Sequence, residues 1–186
     1  MSTPGPAPVP ADPSGEDTGR PTAPFLVSFV CTGNICRSPM AEVVARALVA
    51  EAGLSDQVSV ESYGTGPRYH GEGANPPAVL ALGRRGYDGS GHGARQIDPR
   101  TIGASDLVLA LDSGHLQALR RMIGDRPQLR MLRSFDPASA GQADLDVPDP
   151  FQRGDVAFEH ALDLVESACR GLVAELPALL AARHPR

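Results

Sequence analysis

Along the chain, short runs of consecutive apolar residues alternate with longer segments of helical periodicity. This pattern constrains the fold more than any other feature. Residues 25–30 (Phe-Leu-Val-Ser-Phe-Val) read as a strand covered on both faces. Ser38-Pro39 then reads as a helix N-cap and first helical residue. Met40, Val44 and Leu48 recur on one face, and Gly53 can end the helix. Residues 57–62 form a second strand candidate. Asn75-Pro76-Pro77 opens a helix carrying Val79, Leu80 and Leu82 that stops at Gly86. Residues 107–111 (Leu-Val-Leu-Ala-Leu) are another buried strand, residues 113–122 a helix, and residues 129–132 a fourth strand. A long Asp-, Pro- and Gly-rich loop covers 135–154. The last helix, capped by Asp155, carries the stripe Phe158, Leu162, Val165, Cys169, Leu172 and Leu176, and Pro177 is expected to kink or end it. Strands alternating with helices imply an α/β fold: a single doubly wound domain with a four-stranded parallel sheet flanked by helices on both faces. Ligands of such sheets bind beyond the carboxyl ends of the strands.

Composition removes several function classes. Residues 1–24 hold seven Pro and almost no large apolar side chains, so they are expected to be a disordered tail preceding a domain over 25–186. They also lack the apolar stretch of a secretory signal, and no apolar run approaches about 20 residues, so neither export nor a membrane partner is expected. Net charge is −5 and Trp is absent, which argues against nucleic acid as a partner. Three cysteines, Cys31, Cys36 and Cys169, are too few and too odd for a disulfide scaffold, and a reducing cytoplasm fits best. No Cys/His spacing suits zinc, so no metal is expected. All 17 basic residues are Arg, which with abundant Ala, Gly and Pro suggests a GC-rich bacterial genome.

The chemistry concentrates in residues 29–39, Phe-Val-Cys-Thr-Gly-Asn-Ile-Cys-Arg-Ser-Pro, where the first strand passes into the first helix. A loop there presents successive backbone N–H groups, and the helix N-terminus adds its positive end: a cradle for an anion. Cys31 opens the loop and Arg37 closes it. A cysteine facing several N–H donors and a guanidinium should be held as thiolate near neutral pH. The planar fork of Arg37 can grip two phosphate oxygens, and Gly33 permits a tight turn. A thiolate attacking phosphorus needs a proton donor for the departing oxygen. Asp149, in Val147-Pro-Asp-Pro-Phe151 on the late loop, is the candidate. Asp98-Pro99 and Asp136-Pro137 are further Asp-Pro pairs, so order and context single out Asp149. Phe151 beside it could pack on an aromatic leaving group. Cys169, on the apolar stripe, reads as structural.

Cys31-Thr-Gly-Asn-Ile-Cys-Arg-Ser-Pro-Met-Ala-Glu42 together with Pro148-Asp-Pro-Phe151 resembles the low-molecular-weight protein tyrosine phosphatase family over roughly residues 25–180. The resemblance implies a phosphomonoester hydrolase without cofactor, working through a phosphocysteine on Cys31. Arg37 would bind the phosphoryl oxygens, and Asp149 would act first as acid and then as base. It makes Thr32, Gly33, Asn34, Ile35, Cys36 and Ser38 a phosphate-binding loop, braced by Asn34, Ser38, Ser62 and His92. It gives Cys36 a protective redox role, forming a reversible disulfide with Cys31. Ile35, Arg68, Tyr69 and Phe151 become walls of the substrate pocket. The expected partner is a phosphorylated protein or metabolite, and the expected state a monomer or weak dimer.

Departures from the pattern bear on the substrate. Gly64-Thr-Gly-Pro67 is followed by Arg68-Tyr69, where many bacterial relatives place an aromatic, often Trp. Gln152 stands where a second Tyr is common. Ile35 replaces the Thr of the related arginine phosphatases and favours phosphotyrosine, although Phe151 also occurs in that branch. Protein-arginine phosphatase and small-molecule phosphatase are the alternatives within the fold. An arsenate reductase would need further downstream redox cysteines. A retired fold that only binds a phosphorylated ligand is the reading from another class, and the joint presence of Cys31, Arg37 and Asp149 weighs against it.

Overall fold

Residues 23–183 are described by the computed structural model. The Pro-rich segment 1–24 lies outside the described residues except for its last two positions. Four parallel strands form one sheet: β1 (Phe25–Cys31), β2 (Val58–Gly64), β3 (Leu107–Ala110) and β4 (Leu129–Met131), in the order β2-β1-β3-β4. β1 pairs with β2 from Phe25↔Val58 to Cys31↔Gly64, and with β3 from Val27↔Leu107 to Val30↔Ala110. The chain leaves β1 on one side to make β2, then crosses to the other side for β3. The carboxyl end of β1, at Cys31, is therefore the topological switch point where a crevice opens.

The strands alternate as a sheet covered on both faces must. Val27, Phe29 and Cys31 join Leu107, Leu109 and Leu111 in one core cluster. That face is covered by α1 (Arg37–Glu51), α2 (Pro76–Arg84) and α5 (Asp155–Arg183). Val30, Val108 and Ala110 join the other cluster, under α3 (Pro99–Ala104) and α4 (Ser113–Ile123). The stripe Phe158, Leu162, Val165, Cys169, Leu172 and Leu176 is buried, at about 1.5–3 kcal/mol for each large apolar side chain. Leu80 instead lies on the outer face of α2 and is exposed.

Several expected boundaries are corrected. α1 starts at Arg37, with Cys36 as its cap residue, so Ser38 is inside the helix and its hydroxyl is free for the loop. β2 runs on to Gly64, and β4 ends at Met131. Asp155 is the first residue of α5. The stretch 135–154 contains a short 3₁₀ turn, Pro137–Ser139, just after another at Leu132–Phe135. α3 was not expected at all. Its signal is Asp98-Pro99, where Asp98 caps the helix by accepting from Thr101 N at 2.8 Å.

α5 also continues past Pro177 to Arg183. An interior proline costs about 3 kcal/mol through its missing N–H and ring clash. Leu179 and Leu180 pack against the core beyond it. Arg183 donates to Ala23 O at 2.9 Å and pairs with Asp106 at 3.1 Å, and Asp106 in turn accepts Leu26 N at 2.8 Å. The last turn thus ties down the entry into β1. Among the described residues no helix is long and apolar enough to cross a membrane.

Candidate active site

The loop joining β1 to α1 is held open by hydrogen bonds to its outer side. Thr65 N donates to Cys31 O at 2.8 Å, and Gly66 N to Thr32 O at 3.0 Å. His92 Nε2 lies 2.6 Å from Asn34 O, and Asn75 N donates to Ile35 O at 2.7 Å. In a trans peptide the N–H points opposite the carbonyl. Four carbonyls anchored outward therefore turn the N–H groups of Thr32, Gly33, Ile35 and Cys36 inward. Asn34 N adds a donor aimed at Cys31 Sγ, 3.3 Å away. The curvature needs Asn34 in the left-handed region, φ 56°, a conformation Asn tolerates better than most residues. Gly64, at the end of β2, makes the close approach possible: a Cβ there would lie 2.7 Å from Thr32 O.

The Asn34 side chain braces the loop. Its Nδ2 donates to Ser38 Oγ at 2.9 Å and to Ser62 Oγ at 2.8 Å, and its Oδ1 accepts from Arg95 N at 2.8 Å. Ser62 donates onward to Glu42 at 2.5 Å, and His92 Nδ1 lies 3.9 Å from the same carboxylate. The structure thus brings Asn34, Ser38, Ser62 and His92 together, with Glu42 as an added member. Glu42 stands within the quoted motif but was not singled out.

Ser38 Oγ sits 3.0 Å from Cys31 Sγ and 3.1 Å from Tyr63 O. A hydroxyl carries one proton. When Cys31 is a thiol, its S–H can donate to Ser38, which donates to Tyr63 O. When Cys31 is a thiolate, the same proton turns to sulfur. Burial first, then the charges of Cys31 and Asp149, push the Cys36 thiol up to about 12, so beside a charged Cys31 it stays protonated at neutral pH and does not compete for phosphorus. All three cysteines are free thiols.

Arg37 is only 4 % exposed, so its charge must be paired. Nη1 donates to Asp112 Oδ2 at 2.8 Å and to Val147 O at 3.1 Å, and Nη2 lies 3.2 Å from Asp149 Oδ2. Asp112 caps α4, accepting His115 N at 2.8 Å. Burial works against its charge. The imidazole and N–H of His115, together with Arg37, nonetheless hold its carboxyl well below the usual carboxylate range. His115 Nε2 lies 2.8 Å from Thr32 Oγ1. Its Nδ1 lies 2.8 Å from Asp112 Oδ1 without hydrogen-bond alignment, so that contact is electrostatic. Asp112 and His115 were missed from sequence. The available signal was an Asp at the carboxyl end of β3, at the crevice, opening a helix.

Asp149 is placed by what precedes it. Val147 is buried, its N–H donates to Leu111 O at 2.8 Å, and its carbonyl accepts from Arg37. Asp146 accepts from Ser113 N at 2.7 Å. The late loop is thereby pinned to the end of β3 and the start of α4, with Asp149 two residues beyond the anchor. The Asp149 side chain is 48 % exposed, open to water and to a ligand. Asp98-Pro99 and Asp136-Pro137 are caps instead, of α3 and of the second 3₁₀ turn.

Cys31, Arg37 and Asp149 border one cavity of about 210 Å³. Ile35, Arg68, Tyr69 and Phe151 line its sides, with the Tyr69 and Phe151 rings tilted at 6.3 Å. Two aromatic faces and a branched aliphatic side chain make a slot suited to a flat ring above an anion cradle.

Comparison with known proteins finds relatives over most of the chain. The chain is 52% identical over 153 residues to a low molecular weight protein-tyrosine-phosphatase of Streptomyces coelicolor, covering 81% of this chain and 92% of that relative. Among solved structures it is similar to YfkJ from Bacillus subtilis, at TM-score 0.78 and 32% identity, covering 86% of this chain and 98% of that one. It is also similar to the YwlE arginine phosphatase, in a mutant with a phosphorylated active-site serine, at TM-score 0.70 and 31% identity, covering 82% and 95%. The family model of the low molecular weight phosphotyrosine protein phosphatases matches residues 26–181, and the chain belongs to that family.

Proposed function

We propose that this protein hydrolyses phosphotyrosine in proteins through a phosphocysteine on Cys31. The observation that carries the reading is the convergence of Cys31, Arg37 and Asp149 on one cavity with aromatic walls. The inward N–H groups and the Arg37 fork bind the phosphoryl oxygens and stabilise the charge of the transition state. The Cys31 thiolate attacks phosphorus in line with the aryl oxygen. As the P–O bond breaks, Asp149 gives that oxygen its proton and the tyrosine leaves neutral. Asp149, now a carboxylate, takes a proton from water as the water attacks phosphorus. The S–P bond breaks, and inorganic phosphate and the thiolate are restored. Cys36 serves as a reserve thiol. Oxidation of Cys31 to the sulfenic acid removes the neighbouring thiolate charge that helps keep Cys36 protonated. The Cys36 sulfur then bonds to the Cys31 sulfur, its proton leaves with the sulfenic hydroxyl as water, and a reducible disulfide closes.

Arginine dephosphorylation is the second reading, favoured by the likeness to YwlE. Ile35 weighs against it: a branched apolar side chain at the cavity wall disfavours a solvated guanidinium and tolerates a ring. The test is parallel kinetics at matched concentration on a phosphotyrosine peptide, a phosphoarginine peptide and a set of phosphorylated metabolites. The highest kcat/KM is expected on phosphotyrosine. A protein faster on phosphoarginine, or fast only on a metabolite, contradicts the assignment.

A further inference from the structure

Three charged residues line the cavity, and Arg37 and Asp149 pair with each other. The third, Arg68, has no carboxylate partner among the described residues. Its position is nevertheless defined. The Tyr69 ring packs against the phosphate loop at Gly33, where a Cβ would lie 2.7 Å from Tyr69 Cδ2. The segment is tied on both sides, with Gly66 N on Thr32 O at 3.0 Å and Gly71 N on Ala94 O at 2.8 Å. The Arg68 guanidinium carbon then lies 5.4 Å from the centre of the Tyr69 ring, within range of a cation–π contact. A cation is thus held over an aromatic wall at the mouth of the pocket, with its donors available.

We propose that Arg68 selects phosphotyrosine sites flanked by Asp or Glu. This rests on the phosphotyrosine reading above and names the kind of site it acts on. With phosphate on the Cys31 loop and the ring between Tyr69 and Phe151, the peptide backbone leaves the cavity at its rim. A carboxylate next to the tyrosine then comes within reach of this exposed arginine. The chain as a whole carries a net charge of −5 and repels acidic peptides at long range. A preference for them must therefore come from a local cation. The contact persists from bound substrate to transition state, so it should lower KM and leave kcat little changed.

The test uses three phosphotyrosine peptides identical except for flanking Glu, Gln or Lys, with wild type, Arg68→Gln and Arg68→Glu. Arg68 is exposed, so neither substitution disturbs the core. In wild type at low salt, kcat/KM is expected to be about fivefold higher for Glu than for Gln, the upper range for a solvent-exposed ion pair, and the ratio should shrink at high salt. Arg68→Gln should bring the ratio close to one, and Arg68→Glu should invert it in favour of Lys. Wild type that hydrolyses all three peptides alike, or a Glu preference that survives Arg68→Gln, overturns the proposal and leaves the phosphotyrosine reading intact. Wild type that hydrolyses none of them overturns that reading as well. A small phosphomonoester bearing a second phosphate serves as a further arm. Arg68-dependent selection of that compound, with the peptides treated alike, overturns the assignment to a flanking carboxylate.

Discussion

Asp112 Oδ2 accepts Nη1 of Arg37 at 2.8 Å, so the guanidinium that closes the phosphate loop is aimed by the cap residue of a helix 75 positions away. Asp112→Asn tests that aim without destroying the cap, since Asn caps a helix as well as Asp does. Activity on aryl phosphates should fall about tenfold or more, or roughly 1.4 kcal/mol of transition-state stabilisation. Because the folded protein holds this carboxyl below its usual range, it stabilises the fold at pH values above that range, and the contribution is lost as pH falls through it. The stability gap between wild type and Asp112→Asn should be constant from about pH 5 to 8 and close in stronger acid. A gap that widens on acidification, measured by urea unfolding, would contradict the assignment.

Asn34 joins a backbone role to a side-chain role, and two substitutions separate them. Asn34→Ala places a Cβ residue without a compensating side chain at φ 56° and removes the bonds to Ser38, Ser62 and Arg95. A loss of about 2–4 kcal/mol follows from left-handed strain and unpaired buried groups. Asn34→Gly should recover roughly 1 kcal/mol of it by relieving the strain, yet remain poorly active because the brace is still missing. Equal stability for the two variants would show that strain plays no part.

Gly171 gives a test of sign. Replacing a glycine inside an exposed helix by alanine stabilises by about 1 kcal/mol. At Gly171 of α5, however, a Cβ would lie 1.8 Å from Phe135 O and 2.9 Å from Phe135 C, where the 3₁₀ turns pass over the helix. Gly171→Ala should therefore destabilise by about 1–3 kcal/mol and lower the melting temperature by several degrees. A raised melting temperature would mean that this packing is wrong.

Much of the site was legible in sequence because it is local. Cys31 to Ser38 lie on one strand-loop-helix unit, where residue order alone places a thiol, amides and a guanidinium together. Ser62 and His92 were reached only through the resemblance, since nothing local marks them. Asp112 and His115 escaped because their partners, Arg37 and Thr32, are 75 and 83 residues distant. Pro177 misled because proline's local penalty is outweighed by Leu179, Leu180 and Arg183 beyond it. α3 was missed because a six-residue helix has fewer than two turns, so its periodicity carries no signal and only its Asp98 cap remains.

The central claim is a covalent phosphoryl group on Cys31, and Asp149→Asn exposes it. para-Nitrophenolate leaves without needing a proton, so the first step survives in this variant. The second step lacks its base, and the intermediate should accumulate. Enzyme mixed with para-nitrophenyl phosphate, quenched into denaturant and examined by intact and peptide mass spectrometry should carry one phosphoryl group per molecule. That group should map to Cys31 and be absent when Cys31→Ala is added. A burst of nitrophenolate close to one per enzyme should accompany it. Turnover with no adduct in either protein, or an adduct that persists in Cys31→Ala, would contradict the mechanism.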